Sequence, residues 1–181
     1  MVKESLIGTQ NQADNSKCIW TIGHSTRSKE DFLSMLKSFN IEVLVDVRRF
    51  PGSKKYPQFN VSELEKFLPE SGIKYTPLVS LGGRRKPDSN SVNTIWRNEA
   101  FRRYADYTQS EEFLTAINIL TDAALISRTA YMCSEAVWWR CHRAIISDYL
   151  KERGWIVMHI MKENFANEHP YTTAFRAMHS L

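Results

Sequence analysis

The segment at residues 129–143, with the sequence TAYMCSEAVWWRCHR, holds the densest group of chemically reactive side chains in the chain. It contains two thiols, a carboxylate, two tryptophans, a histidine and two arginines. The apolar run before Ser134 predicts a buried strand, and apolar side chains at helical spacing over residues 141–153 predict a helix. Ligands of open α/β sheets bind beyond the carboxyl ends of strands, where helix N-termini offer unpaired N–H groups. The strand-to-helix crossing is therefore a candidate site.

Four side chains at predicted strand ends are candidates for catalysis. Cys133 precedes a helix start, a setting that lowers a thiol pKa and suits a nucleophile or ligand, although a small buried side chain is the alternative. Glu135 and Asp46 could act as general bases or simply neutralise neighbouring arginines. For Asp46 neutralisation is favoured, since the tripeptide Asp-Val-Arg places both charges on one strand face. His24 suits proton transfer or phosphate contact, or it caps a neighbouring loop.

Cationic and aromatic side chains are the candidates for substrate binding. Arginines suit bidentate contact with phosphate or carboxylate groups, and an exposed tryptophan beside them suits base stacking. The alternatives are a solvated rim of salt bridges for the arginines and core packing for one of the tryptophans. The candidates are Ser25, Arg48, Arg84, Arg85, Trp138, Trp139, Arg140, His142 and Arg143.

Two more specific kinds of site are disfavoured by residue spacing. Cys133, Cys141 and His142 could hold a thiophilic metal together with one further histidine, but their spacing is not that of a common zinc motif. A phosphatase-like loop would need an arginine at the sixth residue after Cys133, and Trp139 stands there. We therefore expect neither a metal nor another cofactor.

Strand and helix patterns alternate along the chain. The strand patterns are CIWTIGHS, EVLVDVRRFPGS, IKYTPLVSLGG, the run before Ser134, and WIVMHIMK. This order predicts a single Rossmann-like α/β domain over residues 17–181, with a parallel or mostly parallel sheet of about five strands flanked by helices. Pro77 confines the third strand to an edge or a short run. Right-handed crossovers bring all the strand carboxyl ends to one edge, where the candidate residues would converge.

Composition sets broad limits on the protein's class. A net charge of +4 and a pI near 9.0 mildly favour an anionic partner. Three cysteines without an N-terminal leader pattern favour a reducing compartment, so we expect a cytoplasmic protein. No apolar run approaches the roughly 20 residues that a membrane helix needs. Residues 1–16, which are short on apolar pattern, are expected to form a flexible tail.

Several motifs occur together in a characteristic order. They are TIGHS at residues 21–25, DVRRFPGS at 46–53, LGGRR at 81–85, YMCSE at 131–135 and CHR at 141–143. In this order they resemble the domain-of-unknown-function family 488, over roughly residues 19–162. The resemblance implies an α/β fold and a site built from those motifs.

Three functions remain open. The first is an enzyme acting on a phosphate-bearing substrate. The expected substrate is DNA, another nucleic acid or a nucleotide, and the expected enzyme is a hydrolase or is glycosylase-like. In it Glu135, Asp46 or Cys133 would supply the chemistry, while arginines hold phosphate. The second is a non-catalytic nucleic-acid-binding module that uses the same basic rim. The third is a thiol redox or metal-binding protein built around Cys133 and Cys141.

Overall fold

The computed structural model describes residues 17–180, so the tail predicted for residues 1–16 lies outside the described residues. Within residues 17–180 the chain forms six strands and six α-helices. The strands are β1 (Cys18–Gly23), β2 (Val43–Asp46), β3 (Lys74–Pro77), β4 (Thr129–Cys133), β5 (Ile156–Lys162) and β6 (Phe165–Glu168). The helices are α1 (Lys29–Ser38), α2 (Val61–Glu70), α3 (Glu99–Tyr107), α4 (Glu111–Ile126), α5 (Arg143–Glu152) and α6 (Thr173–His179).

The six strands form one mostly parallel sheet in the order β3-β2-β4-β1-β5-β6. Every pairing from β3 across to β5 is parallel, and only β6 runs antiparallel, against β5. The α/β fold with a mostly parallel sheet, predicted from the sequence, is thus confirmed, and β3 lies at an edge as Pro77 requires. The sequence pattern predicts neither β6 nor α6, because both are short and neither carries a clear apolar period.

Helices cover both faces of the sheet, and strand alternation explains why. Successive side chains of a strand point to opposite faces. Ile19 and Tyr131 belong to the buried cluster shared with α3, α4 and α5. Ile22 and Met132 belong to the cluster shared with α1 and α2. Because both faces are covered, the central strands read as nearly continuous apolar runs.

Helix ends follow from local sequence. The hydroxyl of Ser28 accepts the backbone N–H of Asp31 and caps α1. The side chains of Asn98 and Ser110 accept backbone N–H groups of the first turns and cap α3 and α4. α5 begins at Arg143, two residues later than its apolar spacing predicts.

The neighbouring strands β1 and β4 mark the point where the chain changes direction across the sheet. β1 leads into α1 on one face, and β4 leads into α5 on the other. Such a switch point leaves a crevice at the carboxyl edge of an open α/β sheet. Among the described residues, no helix is long and apolar enough to cross a membrane.

Candidate functional site

A cleft of about 570 Å³ opens at the carboxyl edge of the sheet. The segments that follow β1, β2 and β4 form its walls, together with the 82–85 loop and the first turn of α3. Seven residues predicted for the site line it: His24, Arg48, Arg84, Cys133, Glu135, Arg140 and His142. Sequence reasoning missed a further group of lining residues: Arg49, Phe50, Phe101 and Tyr104.

The cleft has an excess of positive charge. Arg49, Arg84 and Arg140 are exposed on its walls, and none of the three pairs with a carboxylate within residues 17–180. Over the same span, Glu135 is the only carboxylate residue of the lining. The guanidinium of Arg84 also lies 5.7 Å from the ring centroid of Phe50. Unpaired guanidinium groups around a concave surface favour anionic ligands, above all phosphate and carboxylate.

Asp46 and Arg48 form a buried ion pair at the end of β2. The carboxylate accepts hydrogen bonds from Arg48 Nε at 2.8 Å and Nη2 at 2.6 Å, and from the Tyr75 hydroxyl at 2.7 Å. The pairing that Asp-Val-Arg predicts is therefore present. Asp46 is almost fully buried and is not part of the cleft lining, so its visible role is to hold Arg48.

His24 is held as a neutral imidazole at the back of the cleft. Its Nε2 lies 3.2 Å from Arg48 Nη1, and since arginine only donates, Nε2 is the acceptor. Nδ1 therefore carries the proton and donates to the carbonyl oxygen of Ser25 at 3.0 Å. Burial lowers the pKa of His24 to about 4. Proton transfer by His24 would first require its release from Arg48.

Directly behind the cleft, Cys133 and Cys141 meet a buried arginine. Their sulfur atoms are 2.8 Å apart, and Arg143 Nε lies 3.1 Å from the first and 3.4 Å from the second. The same guanidinium donates to the Thr21 hydroxyl at 2.8 Å and to the carbonyl oxygen of Glu135 at 2.6 Å. Arg143 is 1% exposed. It is thus a buried cation, which corrects the prediction that it lines the cleft.

The two thiols differ in their ionisation. Burial and the adjacent Cys141 raise the pKa of Cys133, which corrects the prediction that its strand end lowers it. Burial opposes ionisation of Cys141 too, but the hydrogen bond from Cys133, then His142 and Arg143, lower the pKa of Cys141 well below its usual range. The sulfur of Cys141 also accepts the Arg143 backbone N–H at 3.3 Å, at the start of α5. These directions favour Cys141 as the thiolate, with the Cys133 S–H donating a hydrogen bond to it.

A thiophilic metal bound by Cys133 and Cys141 would compete with the guanidinium of Arg143, whose Nε lies 3.1 Å and 3.4 Å from the two sulfurs. Within residues 17–180 no group of three or more histidine, cysteine, aspartate or glutamate side chains is arranged to hold a metal ion. His142 Nε2 donates to the carbonyl oxygen of Val47 at 3.0 Å, and its Nδ1 lies 3.8 Å from the Cys141 sulfur. The positive charge beside the thiols is supplied by arginine instead.

A chain of buried hydrogen bonds extends from Arg143 to Asp148. The Thr21 hydroxyl contacts Nδ1 of His159 at 3.3 Å. His159 Nε2 lies 2.9 Å from His169 Nδ1, and His169 Nε2 lies 2.9 Å from Asp148 Oδ1. Arg143 donates at one end of the chain, and the Asp148 carboxylate accepts from His169 Nε2 at the other. The chain connects the buried guanidinium to the Asp148 carboxylate through both histidines.

The two tryptophans lie outside the cleft, in a second pocket of about 570 Å³. Trp138 stacks on His159, with ring centroids 4.4 Å apart, whereas Trp139 is 51% exposed. The aromatic members of the pocket are Trp96, Phe101, Trp138, Trp139 and Tyr171. The prediction that these tryptophans share the arginine-lined cleft is thereby corrected, although Phe101 lines both pockets.

Two other predicted binding residues are positioned away from the cleft lining. The guanidinium of Arg85 lies 3.4 Å from the Tyr107 ring centroid and 3.5 Å from the Glu112 carboxylate, which corrects its predicted place in the cleft. Ser25 also lies outside the lining. Its backbone adopts φ +49° in the left-handed region, and its N–H donates to Ser134 at 3.0 Å. It therefore joins the β1 end to the β4 end.

Glycines in two of the motifs allow close backbone approach. A Cβ atom on Gly23 would lie 1.7 Å from the carbonyl oxygen of Glu135. A Cβ atom on Gly82 would lie 2.7 Å from the backbone of Arg49. Larger residues there would push the cleft walls apart.

One comparison with known proteins gives a match. The family model described as Domain of unknown function DUF488 matches residues 28–150, which is well over half of the 181-residue chain. The matched span includes the DVRRFPGS, LGGRR, YMCSE and CHR motifs and lies within the predicted range 19–162. No curated protein and no solved structure matches the chain. The chain therefore belongs to the DUF488 family of domains of unknown function.

Proposed function

We propose that the protein is an enzyme acting on a phosphate-bearing substrate, a nucleotide or nucleic acid, bound in the cleft at the carboxyl edge of the sheet. The observation that carries this proposal is the combination of Arg49, Arg84 and Arg140, all without carboxylate partners within residues 17–180, with Glu135 as the lone carboxylate residue of the lining in that span. Guanidinium groups bind phosphate oxygens in a bidentate manner.

Glu135 is the residue to which the proposal assigns the chemistry. Its backbone is anchored on both sides, because its N–H donates to the Cys133 sulfur at 3.3 Å and its carbonyl oxygen accepts from Arg143 at 2.6 Å. The side chain itself is exposed at the cleft. A carboxylate beside bound phosphate suits a general base that activates water for hydrolysis of a phosphoester or glycosidic bond.

The second pocket supports a substrate that carries a base as well as a phosphate. Arg140 faces the cleft, and Trp139, its neighbour in the same short 3₁₀ turn, faces the aromatic pocket. Trp96 contributes a buried indole N–H that has no hydrogen-bond partner within the described part of the chain. A planar ring with acceptor atoms, such as a nucleobase, would stack there and satisfy that donor.

The proposal includes a cytoplasmic location, which the three free thiols of Cys18, Cys133 and Cys141 support. The alternative for the same surfaces is a non-catalytic nucleic-acid-binding module. Binding without conversion of any substrate would favour that module.

The test is product analysis after incubation with nucleotides and end-labelled single-stranded oligonucleotides. The variants are Glu135→Gln and, as a matched control on an exposed carboxylate of α2, Glu70→Gln. We expect the wild type and Glu70→Gln to convert a substrate, and Glu135→Gln to lose about 100-fold or more of that rate. Its affinity should be unchanged or higher, since a negative charge leaves the cleft. Equal conversion by both variants would remove Glu135 from the mechanism.

A further inference from the structure

The cysteine pair has a chemistry that the proposed function does not use. Cys133 and Cys141 lie on opposite sides of the strand-to-helix crossing, yet their sulfurs are 2.8 Å apart. A disulfide has a sulfur–sulfur distance near 2.05 Å, so bond formation needs a shift of less than about 1 Å. Both residues are buried, with 2% and 5% of their surface exposed, and both belong to the cleft lining.

We propose that Cys133 and Cys141 form a redox-active dithiol, which a hydroperoxide that enters the cleft oxidises to an intramolecular disulfide. This site is independent of the nature of the phosphate-bearing substrate. It stands on the sulfur–sulfur contact, on the buried Arg143 that contacts both sulfurs, and on the opening of the pair into the cleft.

The surroundings of the pair assign a different role to each sulfur. Each sulfur accepts one backbone N–H and the Nε of Arg143, but the N–H on Cys141 lies at the start of α5, where the helix end favours negative charge. Thiolates, not thiols, attack peroxides. Cys133 keeps its proton and lies in contact with the attacking sulfur. Cys141 is thus the nucleophile, and Cys133 is the resolving thiol.

The reaction balances in two steps. The Cys141 thiolate attacks one oxygen of the hydroperoxide ROOH, an S–O bond forms, the O–O bond breaks, and the departing alkoxide takes a proton from water to leave as ROH. The Cys133 sulfur then attacks the Cys141 sulfenic acid, an S–S bond forms, and the hydroxyl group leaves with the Cys133 proton as water. Two electrons pass from the sulfurs to the peroxide oxygens, and an external thiol is needed to reduce the disulfide again.

Cys18 supplies an internal control. It is a third free thiol, half-buried in β1, and burial raises its pKa. No arginine donates a hydrogen bond to its sulfur among the bonds of the described residues. If exposure alone decided reactivity, Cys18 would oxidise before the buried pair.

The experiment treats the reduced full-length protein with roughly one equivalent of hydrogen peroxide and maps the products by mass spectrometry without reduction. We expect two thiols to be lost per molecule, as a Cys133–Cys141 disulfide, at least about tenfold faster than Cys18 reacts. Cys18→Ser should react like the wild type. In Cys133→Ser, dimedone should trap a sulfenic acid on Cys141, and Cys141→Ser should lose the rapid reaction.

Three outcomes would overturn the proposal: Cys18 reacting first, only intermolecular disulfides, or a pair that stays reduced while Cys18 is consumed. Disulfide mapping on the wild type decides the matter even where a serine variant fails to fold. If the reduced wild type converts no substrate but its cysteine pair is oxidised rapidly, the proposed function is overturned and the redox site stands. The two failures are therefore distinguishable.

Discussion

The Nη2 atom of Arg143 lies 2.6 Å from the main-chain carbonyl oxygen of Glu135. A fully buried cation thereby fixes the backbone of a residue whose carboxylate lies in the cleft. The same guanidinium contacts both sulfurs of the cysteine pair and starts the hydrogen-bond chain to Asp148. The chemistry proposed for the cleft would therefore depend on an arginine that no ligand in the cleft needs to touch.

Replacing Arg143 should damage the fold rather than merely weaken ligand binding. Arg143→Met leaves a buried thiolate and the Glu135 carbonyl oxygen without their donor, so we expect a loss of about 3–5 kcal/mol in the free energy of unfolding. Denaturant unfolding measures it. Arg140→Met, at the exposed rim, is the matched control and should stay within about 0.5 kcal/mol of the wild type. Equal stability of both variants would mean that the buried contacts of Arg143 are dispensable.

Asp46 should prove structural. Asp46→Asn removes the negative charge opposite Arg48, and we expect unfolding to become easier by about 3 kcal/mol. Tyr75→Phe removes only one hydrogen bond to the same carboxylate and should cost about 1 kcal/mol. Thermal or denaturant unfolding of the two variants checks that Asp46→Asn is destabilised more than Tyr75→Phe. An Asp46→Asn protein with wild-type stability and no activity would instead support a direct catalytic role.

Stability should decrease in mildly acidic solution because of His24. Its pKa is about 4 in the folded protein against an ordinary value of 6.5, so between those values the unfolded chain binds a proton that the folded protein does not. The contribution of neutral His24 to the free energy of unfolding is complete above pH 6.5. It is lost as the pH falls towards 4, and the loss is on the order of 3 kcal/mol. The nearby charges of Arg48 and Arg27 also lower the pKa of His24, as burial does, whereas Asp46 raises it.

The measurement is the free energy of unfolding against pH for the wild type and His24→Gln. His24→Gln should flatten the curve between about pH 4 and 6.5. Buried His159, whose pKa burial lowers to about 2, maintains part of the slope in both proteins. An unchanged slope in His24→Gln would contradict the assignment of a neutral His24.

Trp139 should contribute to binding and Trp138 to stability. We expect Trp139→Ala to weaken binding of a single-stranded oligonucleotide by about 1–3 kcal/mol, since a stacked base would lose its platform. Its unfolding should change little, because half of that side chain is exposed. Trp138→Ala should destabilise the protein, because the ring covers His159. Fluorescence titration and denaturant unfolding separate the two effects, and a reversed pattern would refute the assignment.

Periodicity predicts most of the fold, and its failures have local causes. Apolar side chains recur at helical spacing over most of α3 and α4, which defines where these helices begin and end. The continuous apolar runs of β1, β2, β4 and β5 predict buried strands. The β6 strand has the sequence FANE, and α6 spans seven residues, so neither offers a window in which a period is visible. Those elements are held by tertiary contacts such as the Asp148 bonds to His169 and Thr172.

The candidate site is predictable by position but not by side-chain direction. The rule that strand ends converge correctly gathers His24, Arg48, Cys133 and Glu135 at one edge. It does not distinguish Arg140, in an exposed turn, from Arg143, three residues later on the buried side of α5. The aromatic pocket escapes prediction for a related reason, since the segment around α6 builds one of its walls.

The most direct test of the central claim is the salt dependence of binding of a labelled single-stranded oligonucleotide, between about 50 mM and about 200 mM salt. The variants are the triple substitution of Arg49, Arg84 and Arg140 to Ala, and a control that removes the same charge outside the cleft lining, Lys37, Lys66 and Lys74 to Ala. We expect affinity to fall steeply with salt in the wild type and the control, and the arginine variant to bind weakly with a slope reduced by about three. Binding that is insensitive to salt, or that both triple variants weaken equally, would contradict an anion-binding cleft.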